Sequence, residues 1–361
     1  MNRVFNFSAG PSTLPDAVVE QAQAELPDWQ GLGCSVMEVS HRGKPFVALA
    51  ERCEAALRRL MGIPESYAVL FLAGGAQTQF AAVPLNLASA RGRLAGYVNT
   101  GSWSTKAIGE ARRFTAVHVA ATSEADGFRH VPPRAEWDVN RDCVYLHYTP
   151  NETIGGVEFH WTPEVGDIPL VADMSSMILS RPVDVSQHGL IYAGAQKNAG
   201  ISGITLVIVR RDLLGGADPK TPSTIDYAVQ TRQRSMANTP ATFPWYITSL
   251  VFDWLEREGG VEEMARRNAR KAEKIYAAID GSSFFSNPVA LADRSFMNVT
   301  FFLADPALDG QFLTRAEEAG LVGLKGHRSV GGMRASLYNA MPEAGADRLV
   351  EVMREFERAR A

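Results

Sequence analysis

The chain has 361 residues, 46% of them hydrophobic, with 36 Lys and Arg against 40 Asp and Glu and a formal charge of −4 at pH 7. That length accommodates two domains with a substantial core, and the mild negative balance excludes a general attraction for nucleic acid or acidic membrane surfaces, so anion recognition has to be local. Three scattered cysteines, Cys34, Cys53 and Cys143, form neither a disulfide framework nor a zinc site and suit a reducing compartment, which makes the cytoplasm the expected location.

The opening MNRVFNFSAGPSTLP is broken by Gly and Pro and lacks the apolar core of a secretory signal, and no stretch approaches the roughly 18 uninterrupted apolar residues of a membrane span. From about residue 65 to 210 the apolar runs YAVLFLA, AGYVNT, CVYLHY, IPLVADMS, LIYAGAQ and ITLVIVR alternate with helix-compatible stretches. This pattern predicts an α/β domain of parallel strands joined by crossover helices. Next, VEEMARRNARKAEKIYAAI puts Val261, Met264, Ala265, Ala272, Ile275, Tyr276 and Ile279 on one stripe of a long helix that closes at Asp280-Gly281. A strand in SFMNVTFFL, a helix around QFLTRAEEAG, a strand in MRASLY and a closing helix with Leu349, Val352, Met353 and Phe356 inward predict a smaller α+β domain. The expected division is an N-terminal segment 1–15, a large domain 16–258 and a C-terminal domain 259–361.

In open α/β sheets ligands sit beyond the carboxyl ends of the strands, so polar residues just past apolar runs are the first candidates. The Gly74-Gly75 turn either is purely structural or lets the N–H groups of Ala76 and Gln77 meet a phosphate at a helix start. It matches neither the dinucleotide fingerprint nor a Walker loop. Asp173 in LVADMSS has no Lys or Arg near it in sequence, and either caps a helix or neutralises a bound cation. Lys197 in YAGAQKNAG stands among Ala193, Gly194, Ala195, Ala199 and Gly200, which leave room for a flat ligand. A buried lysine has a lowered pKa and can form a Schiff base with a carbonyl. Pyridoxal phosphate uses such a lysine and also needs an acid at its ring nitrogen, a phosphate cradle and usually an aromatic over the ring. Asp173, the Gly74-Gly75 turn and Trp103 of NTGSWSTKA can fill these roles together, although read singly Trp103 equally suits a core.

The ordered blocks FNFSAGPSTLP, SHRGKPF, LAGGAQTQFAAVPLNL, HYTPNETIGG, VADMSS, ILSRPVDVS, YAGAQKNAGISG, NTPATFPWY and LKGHRSVGGMRASLYNAMP run from residue 5 to about 342. In this order they closely resemble the phosphoserine aminotransferases, a pyridoxal-phosphate family in the class V branch of fold type I. The resemblance implies a large domain with a mainly parallel sheet flanked by helices, plus a smaller α+β domain. It implies that Lys197 carries the cofactor, Asp173 pairs with the pyridine nitrogen, Trp103 stacks on the ring and Thr153 reaches the ring hydroxyl. By the same resemblance Ala76, Gln77 and Gln196 hold the phosphate, with Asn238 and Thr239 of NTPATF completing the cradle from the other subunit of a homodimer. Arg334 would hold the α-carboxylate, while His41, Arg42, His327 and Arg328 would receive the distal phosphate or γ-carboxylate, groups suited to arginine's planar fork. The implied reaction moves an amino group from L-glutamate to 3-phosphohydroxypyruvate, giving O-phospho-L-serine and 2-oxoglutarate in serine biosynthesis, with 3-hydroxy-2-oxo-4-phosphooxybutanoate of pyridoxine biosynthesis as a second acceptor. Gln77 departs from those members that carry arginine there, which bears on affinity for the phosphate end.

Rival readings fit less well. A cysteine desulfurase needs a nucleophilic cysteine well beyond the cofactor lysine, and none follows Cys143. A transaminase for unphosphorylated substrates has little use for two His-Arg pairs. A noncatalytic anion-binding protein on the same scaffold has no need of every chemical position being occupied. The histidines show no metal-ligand spacing, and the basic residues form no stripe with aromatics.

Overall fold

The computed structural model describes residues 3–88 and 93–360. Seven strands make the central sheet: β1 (Tyr67–Ala73), β2 (Leu94–Asn99), β3 (Ala116–Thr122), β4 (Cys143–Tyr148), β5 (Leu170–Asp173), β6 (Leu190–Gly194) and β7 (Ile204–Arg210), in the spatial order β1-β7-β6-β5-β4-β2-β3. The run ITLVIVR of β7 is buried almost throughout because both faces of the sheet are covered. Its residues alternate between two cores: Ile204, Leu206 and Ile208 enter one, and Val207 and Val209 enter the other.

The sheet is mainly parallel, as expected, but β7 runs antiparallel to both β1 and β6. Only residues 195–203 link β6 to β7, fewer than the dozen or so that a parallel crossover requires. The edge strand β3 has no counterpart among the predicted runs, since AVHVAAT mixes a histidine with small residues and is only partly buried. Helices α1 (Asp16–Glu25), α2 (Lys44–Met61), α3 (Gln79–Leu87), α4 (Ser102–Ala111), α5 (Tyr227–Arg232) and α6 (Thr242–Arg257) accompany the sheet. Among the described residues no α-helix lies between β3 and β7, so those crossovers are loops, turns and a short hairpin rather than the helices the alternation predicted. One face is sealed by Phe46, Leu49 and Leu57 of α2 with Trp245 and Phe252 of α6, and Trp245 stacks on Phe71 at 4.7 Å between centroids.

The long amphipathic helix is α7 (Gly260–Asp280). Beyond it β8 (Phe285–Ser286), β9 (Asn298–Leu303) and β10 (Met333–Ser336) form an antiparallel sheet covered by α7, α8 (Asp309–Glu318) and α9 (Glu343–Arg358). Ile275, Phe301, Phe312, Leu349 and Phe356 lie at its core. The chain's start joins this unit: Phe5–Asn6 pairs in parallel with Leu321–Val322, and Phe7 is fully buried among the same side chains. Among the described residues no helix is long and apolar enough to cross a membrane.

Candidate active site

The carboxyl ends of β5 and β6 open on a cavity of about 350 Å³ whose wall includes Gly75, Trp103, Thr153, Asp173, Lys197 and Arg334. Lys197 follows β6 in a run of small, buried residues and is itself 9% exposed. Its Nζ donates to Thr153 Oγ1 at 2.6 Å. Burial pulls the amine down to about 8, an effect opposed by Asp173 and Glu152 and reinforced by Arg334. A neutral, nucleophilic amine is therefore within reach near physiological pH.

The backbone around Lys197 is held from several directions. Ser12 donates from its N–H to Gln196 O at 3.0 Å and from its hydroxyl to Lys197 O at 2.7 Å, so the N-terminal segment straps the lysine loop. Gly10 passes so close that a Cβ there would stand 3.3 Å from Lys197 Cγ. On the other side the amides of Asn198, Asn339 and Asn268 donate to three successive carbonyls, those of Ile178, Leu179 and Ser180. Asn339 also donates its N–H to Asn198 Oδ1 at 2.9 Å. Leu179 sits in the left-handed region at φ 61°, a conformation that a leucine keeps only when its surroundings impose it.

Asp173 ends β5, and its Oδ1 accepts from both the N–H and the hydroxyl of Ser175, whose oxygen in turn accepts from Gly194 N–H. Burial pushes the carboxyl above the usual range, opposed by Ser175 and by the charge of Lys197. No lysine or arginine of the described residues forms an ion pair with it. It is thus a buried acid suited to a cationic N–H from a ligand.

Trp103 is placed by Glu152, a fully buried carboxylate at the start of α4. Oε2 accepts from Trp103 N–H at 3.0 Å, and Oε1 accepts from the N–H and hydroxyl of Ser104. These are the helix's unpaired first N–H groups, where negative charge is favoured. A Cβ on Gly101 would collide with the Glu152 carboxyl, which explains glycine at that position. The side chains of Trp103 (Nε1), Thr149 (Oγ1), Gln196 (Oε1) and Arg334 (Nε) each carry a buried polar atom without a partner, and all four residues line the cavity. In a cavity such atoms can be completed by a ligand or by ordered water.

The family model for aminotransferase class-V matches residues 4–349. The phosphoserine aminotransferase of Azotobacter vinelandii is 58% identical over 356 residues, spanning 99% of this chain and 98% of its own. The chain belongs to the phosphoserine aminotransferase family of class V. The solved phosphoserine aminotransferase of Bacillus circulans subsp. alkalophilus is similar with a TM-score of 0.98 at 47% identity, covering 100% of both chains. That of Trichomonas vaginalis, solved with PLP bound, gives 0.92 at 40% identity over 98% of this chain and 100% of its own.

In this class V aminotransferase the cavity brings together Ala76, Gln77, Trp103, Thr153, Asp173, Gln196, Lys197, His327 and Arg334. His41, Arg42, Asn238, Thr239 and Arg328 are not on its wall. Of these, Arg42, Asn238, Thr239 and Arg328 are exposed, while His41 Nε2 is buried without a partner. Three residues of the site have no role in the sequence reading. Ser175 could have been found as a hydroxyl two positions after a strand-end acid, Glu152 as an acid without a cation beside Thr153, and Lys106 as a cation one helical turn from Trp103.

Proposed function

We propose that the protein transfers the amino group of L-glutamate to 3-phosphohydroxypyruvate, reversibly, giving O-phospho-L-serine and 2-oxoglutarate. The observation that carries this reading is one cavity holding a buried lysine with a depressed pKa, a buried acid that forms no ion pair among the described residues, and an arginine whose Nε has no partner. The high identity to phosphoserine aminotransferases over nearly the whole chain supports the substrate pair.

Pyridoxal phosphate is the cofactor, and the residues present fit it: Asp173, which forms no ion pair among the described residues, suits the pyridine N–H, and Gln196 and Trp103 bring polar atoms without partners to the same cavity. Lys197 would hold it covalently, Trp103 would cover its face and Thr153 would reach its hydroxyl. Ala76 and Gln77, in the turn ahead of α3, would meet its phosphate with N–H groups that have no helical acceptor. Bound there, the cofactor supplies an electron sink for the charge that develops when a substrate loses its α-proton.

The chain's own residues do the rest. Asp173, held in orientation by Ser175, would favour a protonated ring nitrogen. Lys197 Nζ would remove and return a proton at the substrate α-carbon, and an amine pulled down to about 8 by burial suits both directions. Arg334, anchored by donation from Nη1 to Thr153 O at 3.4 Å, pairs with the α-carboxylate. His327 stands on the cavity wall for the distal anion, with Arg328, His41 and Arg42 assembled around it in the dimer. A second acceptor, 3-hydroxy-2-oxo-4-phosphooxybutanoate, carries the same oxo acid and distal phosphate and fits the same groups.

The homodimer belongs to this proposal, since Asn238 and Thr239 are exposed and away from their own chain's cavity. Dilution below the dimer's dissociation constant should weaken cofactor binding, and concentration-independent binding would rule out a shared site. The reaction itself is tested by adding glutamate and then 3-phosphohydroxypyruvate to the loaded protein while following visible absorbance. The first addition should shift the band and the second restore it. Borohydride reduction should add the cofactor's mass to the peptide containing Lys197, and mass on another lysine, or on none, would overturn the assignment.

A further inference from the structure

Lys106 stands on the cavity wall with no part in the reaction described above. It lies on α4 three residues after Trp103, so both side chains leave the same face of the helix, and its ammonium stands 4.3 Å from the centroid of the Trp103 ring. It lines the same cavity as Gln77, His327 and Arg334. Among the described residues none of Lys106, His327, Arg328 and Arg334 has a carboxylate partner in an ion pair. They are close enough to feel one another: after burial, the charges of Arg334, Lys106 and Arg328 hold the His327 imidazole below its ordinary pKa. A chain with a net charge of −4 has thus placed two cations without carboxylate partners, Lys106 and Arg334, on one cavity wall. An anion entering between them would offset their mutual repulsion.

The positions of these cations divide the anion's two ends between them. Arg334 is half-buried and bonded to Thr153, which also accepts from Lys197 Nζ, so it stands beside the reacting centre. Lys106 is exposed, at the rim. A three-carbon acid with its α-carbon at Lys197 and its carboxylate on Arg334 would have its far end free to meet another part of the wall, which Gln77, Lys106 and His327 line. A lysine ammonium on a flexible stem is a point charge able to follow that end, and the Trp103 ring gives it a resting place over the cavity.

We propose that Lys106 is a specificity-determining residue that pairs with the distal phosphate of the substrate and favours a dianion over a carboxylate at that end. The inference rests on the proposed transamination of a phosphorylated acceptor.

The test uses the cofactor-loaded protein and two variants, Lys106→Met, which keeps an unbranched side chain without the charge, and Lys106→Arg, which keeps the charge. Lys106→Met should raise both the KM for 3-phosphohydroxypyruvate and the inhibition constant of inorganic phosphate about tenfold, while the KM for glutamate rises no more than about threefold. Lys106→Arg should restore most of the loss, and the visible absorbance should be the same in all three proteins. Unchanged constants for phosphate and phosphorylated acceptor would overturn the proposal, as would equal increases for glutamate and the phosphorylated acceptor. A lost or shifted absorbance band in Lys106→Met would also overturn it, because the lysine would then act by holding Trp103. If the native protein fails to use the phosphorylated acceptor, the transaminase reading fails on its own. Calorimetric binding of inorganic phosphate to native protein and Lys106→Met still decides the role of Lys106.

Discussion

The backbone N–H of Trp103 donates to the carboxylate of Glu152 at 3.0 Å, across 49 positions of sequence. The residue after Glu152 is Thr153, which accepts from Lys197, so one dipeptide sets both the aromatic wall and the lysine. Glu152→Gln keeps the volume but replaces one acceptor oxygen by a donor that faces an N–H. The expected loss is about 1 to 3 kcal/mol of stability together with weaker cofactor binding. Urea unfolding and absorbance titration with pyridoxal phosphate measure the two, and a variant unchanged in both would show that Glu152 is dispensable. Gly101→Ala should act in the same direction, through collision with the same carboxyl.

Arg334 shares the cavity wall with Lys197, and its Nε is without a partner. Arg334→Ala should raise the apparent KM for the amino donor and for the oxo acceptor alike, by about 30-fold or roughly 2 kcal/mol, because both substrates share the α-carboxylate. Steady-state kinetics with each substrate varied in turn gives the answer. A KM that stays the same for either one assigns the α-carboxylate elsewhere.

The pKa of Lys197 near 8 carries a pH signature in the cofactor-free protein. The folded value lies below the ordinary value of 10.5, so between those two pH values the unfolded chain binds more protons than the native one. Stability should then rise with pH across that window, the cost of a buried ammonium being fully present below about 8 and lifted by about 10.5. Lys197→Met removes this contribution, so unfolding free energies of native and variant proteins, compared at pH 7.5 and 10, should draw apart in favour of the native protein at the higher pH. Parallel behaviour would mean that the amine titrates normally.

Lys271 is a second buried lysine, with a structural task. Its Nζ donates to the carbonyls of Leu337, Tyr338 and Met341 at 2.8 to 3.0 Å, tying α7 to the loop that carries Asn339. Burial pulls its amine down to about 7, while three carbonyl acceptors match the three protons of the charged form. Lys271→Met leaves those carbonyls without their donor and should cost about 3 kcal/mol. The urea midpoint should fall with the slope unchanged. A midpoint equal to that of the native protein would mean that the carbonyls find other partners.

Most of the residues that share the cavity were legible in the sequence, because each announces itself locally. Asp173 and Lys197 follow apolar runs that are strands, and Trp103 opens a helix after one. The strands β1 and β7 were legible because covered faces demand nearly continuous apolar residues. The edge strand β3 was not, since a partly exposed edge tolerates the small and polar residues of AVHVAAT. The reversal of β7 was implicit in the short 195–203 link, but apolar content carries no direction.

The α/β pattern, the amphipathic α7 and the lysine among small neighbours follow from local sequence, because periodicity and side-chain size act over a few residues. Only the tertiary structure decided that Glu152 caps the helix of Trp103, that Asn198, Asn268 and Asn339 grip successive carbonyls around a left-handed Leu179, and that Lys106 joins Arg334 at one opening. Those pairings join segments distant in sequence. A buried polar group must find a partner, but which one it finds depends on how the packed elements bring the backbone past it.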